Sequence, residues 1–137
     1  MTITVTTTVN AAMAEVWRAY TTPEDICCWN SASPDWHTPR ASVDLRVGGE
    51  FSSRMEARDG SMGFDFEGTY TRVDLHERID YAFGDRSATV TFTPTPSGVQ
   101  VAVCFVPETT FPEEVQRGGW QSILDNFKRH VEAGCPR

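Results

Sequence analysis

The sequence predicts an α+β fold: an antiparallel sheet covered by one long C-terminal helix, with two short helices after the first strand. Three observations carry this. Residues Ser42 to Val106 break into consecutive strand-like runs separated by short turn signals. Each run sets an apolar face against a polar one. The stretch Pro112 to Val131, PEEVQRGGWQSILDNFKRHV, instead places Trp120, Ile123, Leu124, Phe127 and Val131 on one side at helical spacing.

In chain order, Thr2 to Val9 alternates β-branched apolar residues with threonines and reads as a strand. Asn10 is the expected cap of a short helix, Ala11 to Ala19, with Met13, Val16 and Trp17 on one face. Thr22-Pro23-Glu24 opens a second short helix through Ile26 and Trp29, with proline in its first turn. Asn30 to Arg40 reads as a loop. Strands follow at Ser42–Val47, Glu50–Arg58, Met62–Val73 (with a bulge expected at Gly68), Arg78–Phe83, Ser87–Thr93 and Val99–Val106. Their short connections imply hairpins and hence a meander. The apolar set includes Val43, Leu45, Val47, Phe51, Met55 and Phe64, and later Tyr81, Val90 and Phe105. A sheet with one apolar face needs a cover, and the C-terminal helix is the one long enough.

The 137 residues make a single domain, 1–137. Twelve Lys and Arg against 19 Asp and Glu leave a net charge of −7, with no basic cluster. That argues against a nucleic-acid binder and a protein of anionic membranes, since both need cationic contacts. No apolar run reaches membrane-span length, and MTITVTTTVN lacks the basic and apolar regions of a signal peptide. The four cysteines, Cys27, Cys28, Cys104 and Cys135, form no CxxC pair. They are expected as free thiols in a reducing cytoplasm.

Thr110 with Glu113 gives a capping-box signal for the long helix. Continued backwards, its apolar stripe meets Gln116 and Glu113, and Gly118-Gly119 interrupts it. Either this end overhangs the sheet in water, or the helix stands off and roofs a cavity that contains Gln116. There are many large rings for one small core; each reads first as core packing, yet a curved sheet and one helix rarely fill their whole concavity. Trp29, at a helix end, and Trp36, in a loop, are placed to line a mouth. Phe51, Phe64, Phe66 and Trp120 join them and Gln116 as the candidate ligand-binding residues.

No catalytic set emerges. Asp44 with Arg46, and Asp65 with Glu67, fall on the wet face by parity and read as surface charge. His37, His76 and His130 are scattered, with no metal-ligand spacing, and His130 suits a helix C-terminus. No metal or cofactor is expected, and there is no nucleophile triad or phosphate loop. Glu113 and His37 are the residues an acid–base reading would use.

Taken together, these stretches resemble a known family. They are Val16-Trp17, Pro23 to Trp29, Asp44-Leu45-Arg46-Val47-Gly48-Gly49-Glu50-Phe51, Gly68-Thr69-Tyr70, and Gly119-Trp120 with Ile123, Leu124 and Phe127. The chain resembles the START-like, helix-grip superfamily (SRPBCC, Bet v 1-like), in the branch of homologues of the activator of the heat-shock-protein-90 ATPase. The resemblance implies a seven-stranded sheet gripping the long helix. It also implies an apolar cavity for a small hydrophobic molecule such as a lipid, sterol or polyketide. Members often carry a proline in the turn before the fifth strand, where this chain has Leu75-His76. Two other readings are carried: a polyketide cyclase or hydrolase-like enzyme, and a chaperone-regulating interaction domain. In the chaperone activator a separate N-terminal domain makes much of the contact, and this chain opens at the first strand, so chaperone contact ranks below ligand binding. Ligand identity and the choice between monomer and dimer are left open.

Overall fold

Strand β1 (Ile3–Val9) lies on one edge of the sheet and strand β2 (Trp36–Val43) on the other. The chain crosses between the edges through helices α1 (Met13–Thr21) and α2 (Pro23–Trp29). It then returns as a meander through β3 (Glu50–Ala57), β4 (Gly63–Asp74), β5 (Arg78–Phe83), β6 (Arg86–Thr95) and β7 (Gly98–Phe105). The sheet order is β1-β7-β6-β5-β4-β3-β2, and every neighbouring pair is antiparallel. Helix α3 (Glu113–Ala133) closes the chain. This computed structural model describes residues 1–134. It has the expected seven-stranded helix-grip architecture.

Alternation decides which way the sheet faces. Val99, Val101, Val103 and Phe105 of β7 are buried, as are Ala88, Val90 and Phe92 of β6. The intervening positions face water and carry ion pairs two residues apart: Arg54 with Glu56 at 2.8 Å, Arg72 with Asp74 at 2.6 Å, and Arg78 with Asp80 at 2.8 Å. Solvent screens such pairs, so they contribute little to stability. The burial of the apolar face carries the fold. Phe127 of α3 is fully buried, and its ring meets Tyr20 of α1 and Trp29 of α2 edge-on, at 5.2 and 5.1 Å.

Several expectations are corrected. Residues Trp36 to Arg40 are strand, not loop: Trp36 pairs with Ala57 and Val43 with Phe51. The ladder is irregular between His37 and Arg40, around Pro39, which an edge strand tolerates because half of its backbone groups need no partner. Asp44 to Gly49 is turn rather than strand, so Val47 is 64% exposed and not in the apolar face. Gly48, at φ +85°, donates its N–H to Tyr70 O at 2.8 Å, and Gly49 O accepts from Tyr70 N–H at 2.9 Å. The Gly-Gly turn is therefore folded back onto β4. The bulge expected at Gly68 lies two to four residues later, between Tyr70 and Arg72. Gly68 serves another purpose: a Cβ there would meet the Phe51 ring at 2.7 Å, so glycine lets that ring lie flat on the strand.

Both expected side-chain caps are absent. Helix α1 starts at Met13 after Ala12, and the Asn10 N–H instead donates to Glu132 at 2.8 Å, joining the first turn of the chain to the end of α3. Helix α3 follows Pro112, which makes Glu113 its first residue and removes the spacing a Thr110–Glu113 box requires. Cys27 and Cys104 are free, but Cys28 is disulfide-bonded, against the expectation of free thiols throughout. Among the described residues no helix is long and apolar enough to cross a membrane.

Candidate functional site

Helix α3 lies closest to β1, α1 and α2 rather than to the middle of the sheet. Its stacked contact is Trp120 on Phe105 of β7, with ring centroids 4.1 Å apart and planes 9° from parallel. Beyond that stack the helix and the sheet diverge over β3, β4 and β5. The space between them is a pocket of about 370 Å³.

Each wall has its own element. Tyr20 and Thr21 come from the end of α1, and Ile26, Trp29 and Asn30 from α2 and its C-cap. The sheet supplies Phe51, Ser53 and Met55 from β3, Phe64, Phe66 and Tyr70 from β4, and Ile79 and Tyr81 from β5. Trp120, Ile123 and Leu124 form the α3 side. Charge enters the lining only through Arg86 and Glu108, opposed at 3.9 Å. Arg86 also donates to Val106 O at 3.3 Å and lies 4.7 Å over the Phe83 ring.

The aromatic side is a chain of edge-on and tilted contacts: Phe51 with Tyr81 at 5.1 Å, Phe51 with Tyr70 at 5.2 Å, Phe66 with Phe83 at 5.4 Å. Burial pushes the Tyr70 phenol up to about 12, with a smaller push from the Asp44 charge. Burial likewise raises Tyr20 and Tyr81, and the neighbouring phenols add to it. All three are neutral hydrogen-bond donors near neutral pH.

Of the sequence candidates, Trp29, Phe51, Phe64, Phe66 and Trp120 line this pocket. Phe64 is half-exposed rather than fully on the buried face, which puts it at the opening. Trp36 is outside the lining and touches it through Phe64, at 5.9 Å. Gln116 is also outside. It is buried, but its amide turns to the β7–α3 loop, donating to Glu108 O at 3.0 Å and Phe111 O at 2.9 Å and accepting from Glu108 N–H at 2.9 Å. It anchors the segment that carries Glu108 to the rim. Gly118 and Gly119 neither break the helix nor make a close approach; a Cβ at either would meet open space.

The acid–base candidates are also elsewhere. Glu113 is exposed, and His37 on β2 lies 3.9 Å from Glu56 on the wet side. His130 faces α2, with Nε2 2.7 Å from Asp25 Oδ1. No group of three metal-ligating side chains occurs among the described residues. Sequence reasoning did not single out Tyr20, Ser53, Tyr70 or Tyr81 for the site. The available signal was positional: Ser53 shares the inward parity of Phe51 and Met55 on either side of it, and Tyr70 and Tyr81 occupy inward positions on adjacent strands.

A curved antiparallel sheet around a C-terminal helix, with two short helices after the first strand, defines the helix-grip, Bet v 1-like class. A family model described as activator of Hsp90 ATPase homolog 1-like protein matches residues 10–132, and the chain belongs to that family. It is similar to a solution structure of an AHSA1-like protein from Aeromonas hydrophila, with 46% identity, a TM-score of 0.92, and coverage of 97% of this chain and 93% of that one. It is also similar to protein Chr148 from Cytophaga hutchinsonii, with 44% identity, a TM-score of 0.79 and coverage of 95% and 90%. Protein CV1439 from Chromobacterium violaceum is 27% identical, with a TM-score of 0.85 and coverage of 96% and 98%. No functionally curated protein matches the chain.

Proposed function

We propose that this protein binds a small, largely apolar molecule between the sheet and α3. One observation carries the reading: the pocket of about 370 Å³ between Trp120 and the aromatic side chains of β3 to β5. Ligand sites commonly occupy about 300–1,000 Å³ and combine apolar walls with a few polar groups. This one falls at the small end, which favours a compact ligand over a long-chain lipid. The pocket brings together no His, Lys or Asp, and its one carboxylate faces Arg86. A binding role therefore fits better than acid–base catalysis.

The test is titration with N-phenyl-1-naphthylamine, a neutral fluorophore that brightens in apolar surroundings. Saturable one-to-one binding is expected. Ser53→Leu, which places a branched side chain into the pocket, is expected to weaken it more than tenfold while the circular dichroism spectrum is unchanged. Non-saturable binding, or binding indifferent to Ser53→Leu, sinks the reading.

A further inference from the structure

The chain contains three tyrosines, and all of them line the pocket. Tyr70 and Tyr81 are direct cross-strand partners on β4 and β5. Tyr20 reaches the same space from α1. Tyr70 and Tyr81 are only 8% and 7% exposed. None of the three hydroxyls has a hydrogen-bond partner among the described residues. The one side-chain polar atom among those residues that is both unpaired and fully enclosed is Nδ1 of His130. The tyrosine hydroxyls, unpaired but not enclosed, therefore border open space, and that space is the pocket. The hydroxyl of buried Ser53 is in the same position.

An apolar container has no need of these groups. Phenylalanine would fill the same volume, as it does at Phe51, Phe66 and Phe83, and buried tyrosine hydroxyls ordinarily find a partner. We propose, building on the ligand-binding reading, that the ligand is a compact, uncharged carbonyl compound (a ketone, lactone or quinone) whose oxygen accepts hydrogen bonds from the hydroxyls of the cross-strand pair Tyr70 and Tyr81.

The chemistry of the lining selects the class. A carbonyl oxygen has two lone pairs and no donor of its own, so it suits converging phenol donors. A carboxylate would need a cation, and the lining's one cation, Arg86, is already engaged by Glu108 and Val106 O. Burying an uncompensated carboxylate is expensive. An ammonium would need Glu108, which faces Arg86. A plain hydrocarbon would leave the hydroxyls unpaired and forfeit their contribution.

Three naphthalenes of similar shape separate these cases: 2-acetylnaphthalene, 2-isopropylnaphthalene and 2-naphthoate. Each displaces N-phenyl-1-naphthylamine from the wild-type protein and from the Tyr70→Phe/Tyr81→Phe double variant. The ketone is expected to bind about tenfold more tightly than the hydrocarbon, the gain of one well-made hydrogen bond. In the double variant the two affinities are expected to converge to within about twofold, mainly through weaker ketone binding. The carboxylate is expected to bind weakest. Retained hydrocarbon binding by the variant shows that its pocket is intact. Equal affinities in the wild type, a ketone preference that survives both substitutions, or tightest binding of 2-naphthoate overturns the proposal and leaves ligand binding standing. Failure of the fluorophore and all three compounds to bind wild-type protein overturns the ligand-binding reading itself.

Discussion

Strands β1, β6 and β7 present Val9, Val90, Val101 and Phe105 inward at 0% exposure, whereas β3 and β4 present Phe51 and Phe66 only partly buried. Both halves belong to one sheet, follow one alternating pattern and face one helix. They differ in what lies opposite. Over β1, β6 and β7 the chain supplies α1 and the sheet-facing side of α3, and the space closes on Phe127 and Leu124. Over β3 to β5 the cover is sparse: Trp120 meets Phe83 at 6.0 Å and Asn30 Nδ2 lies 3.6 Å from Met55 Sδ, and the remaining inward side chains border the pocket. Alternation decides which side chains turn inward. The path of the covering helix decides whether they meet a partner or a space.

The comparison breaks most visibly at Phe127. Phe127→Ala is expected to destabilise by about 3–5 kcal/mol, because a fully packed site collapses poorly around a deleted ring. Urea denaturation measures it, and a loss below about 1 kcal/mol would mean that this half is not the dry one. Next comes the clasp between α2 and α3. Asp25→Ala removes the partner of buried His130 Nε2 and leaves both ring nitrogens unpaired. A loss of about 1–3 kcal/mol is expected, while an unchanged urea midpoint would show that the clasp contributes nothing.

Phe66→Ala sharpens the contrast from the other side. Its ring already borders open space, so less cohesive contact is lost, and about 1–2 kcal/mol is expected. A cost equal to that of Phe127→Ala would erase the distinction between the halves.

The smallest effect near neutral pH is the tyrosine titration. The folded phenols titrate above their unfolded values, so their contribution to stability is fully present below pH 10 and is lost as pH rises toward about 12, the value for Tyr70. Because every tyrosine is in the pocket, absorbance at 295 nm reads that region alone. Little phenolate signal is expected before alkaline unfolding, after which it rises together with the loss of circular dichroism. A full phenolate signal at pH 10.5 with the fold intact would show the tyrosines to be open to water.

Much of this was legible in the residues. Strands β5 to β7 and the long helix were read nearly to their ends, because alternation and the Trp120-to-Val131 stripe are local signals of burial. The edge strand β2 was not. Trp36 to Arg40 contains Pro39 and lacks alternation, and only pairing with β3 makes it a strand. The aromatic wall could be anticipated from Phe51, Phe66 and Trp120 at inward positions. Gln116 and Trp36 could not be placed, since an amide on a helix stripe looks the same in sequence whether it faces a pocket or clamps a loop.

By itself, then, the sequence determined the element order and the inward face of the sheet, because both rest on spacing along the chain, and its motifs carried the resemblance to the family. The tertiary structure alone decided that α3 departs from β3 to β5, that the tyrosines converge there with hydroxyls unpaired among the described residues, and that Gln116 anchors the rim. Those features depend on which distant surfaces fail to touch, and no local pattern encodes a gap.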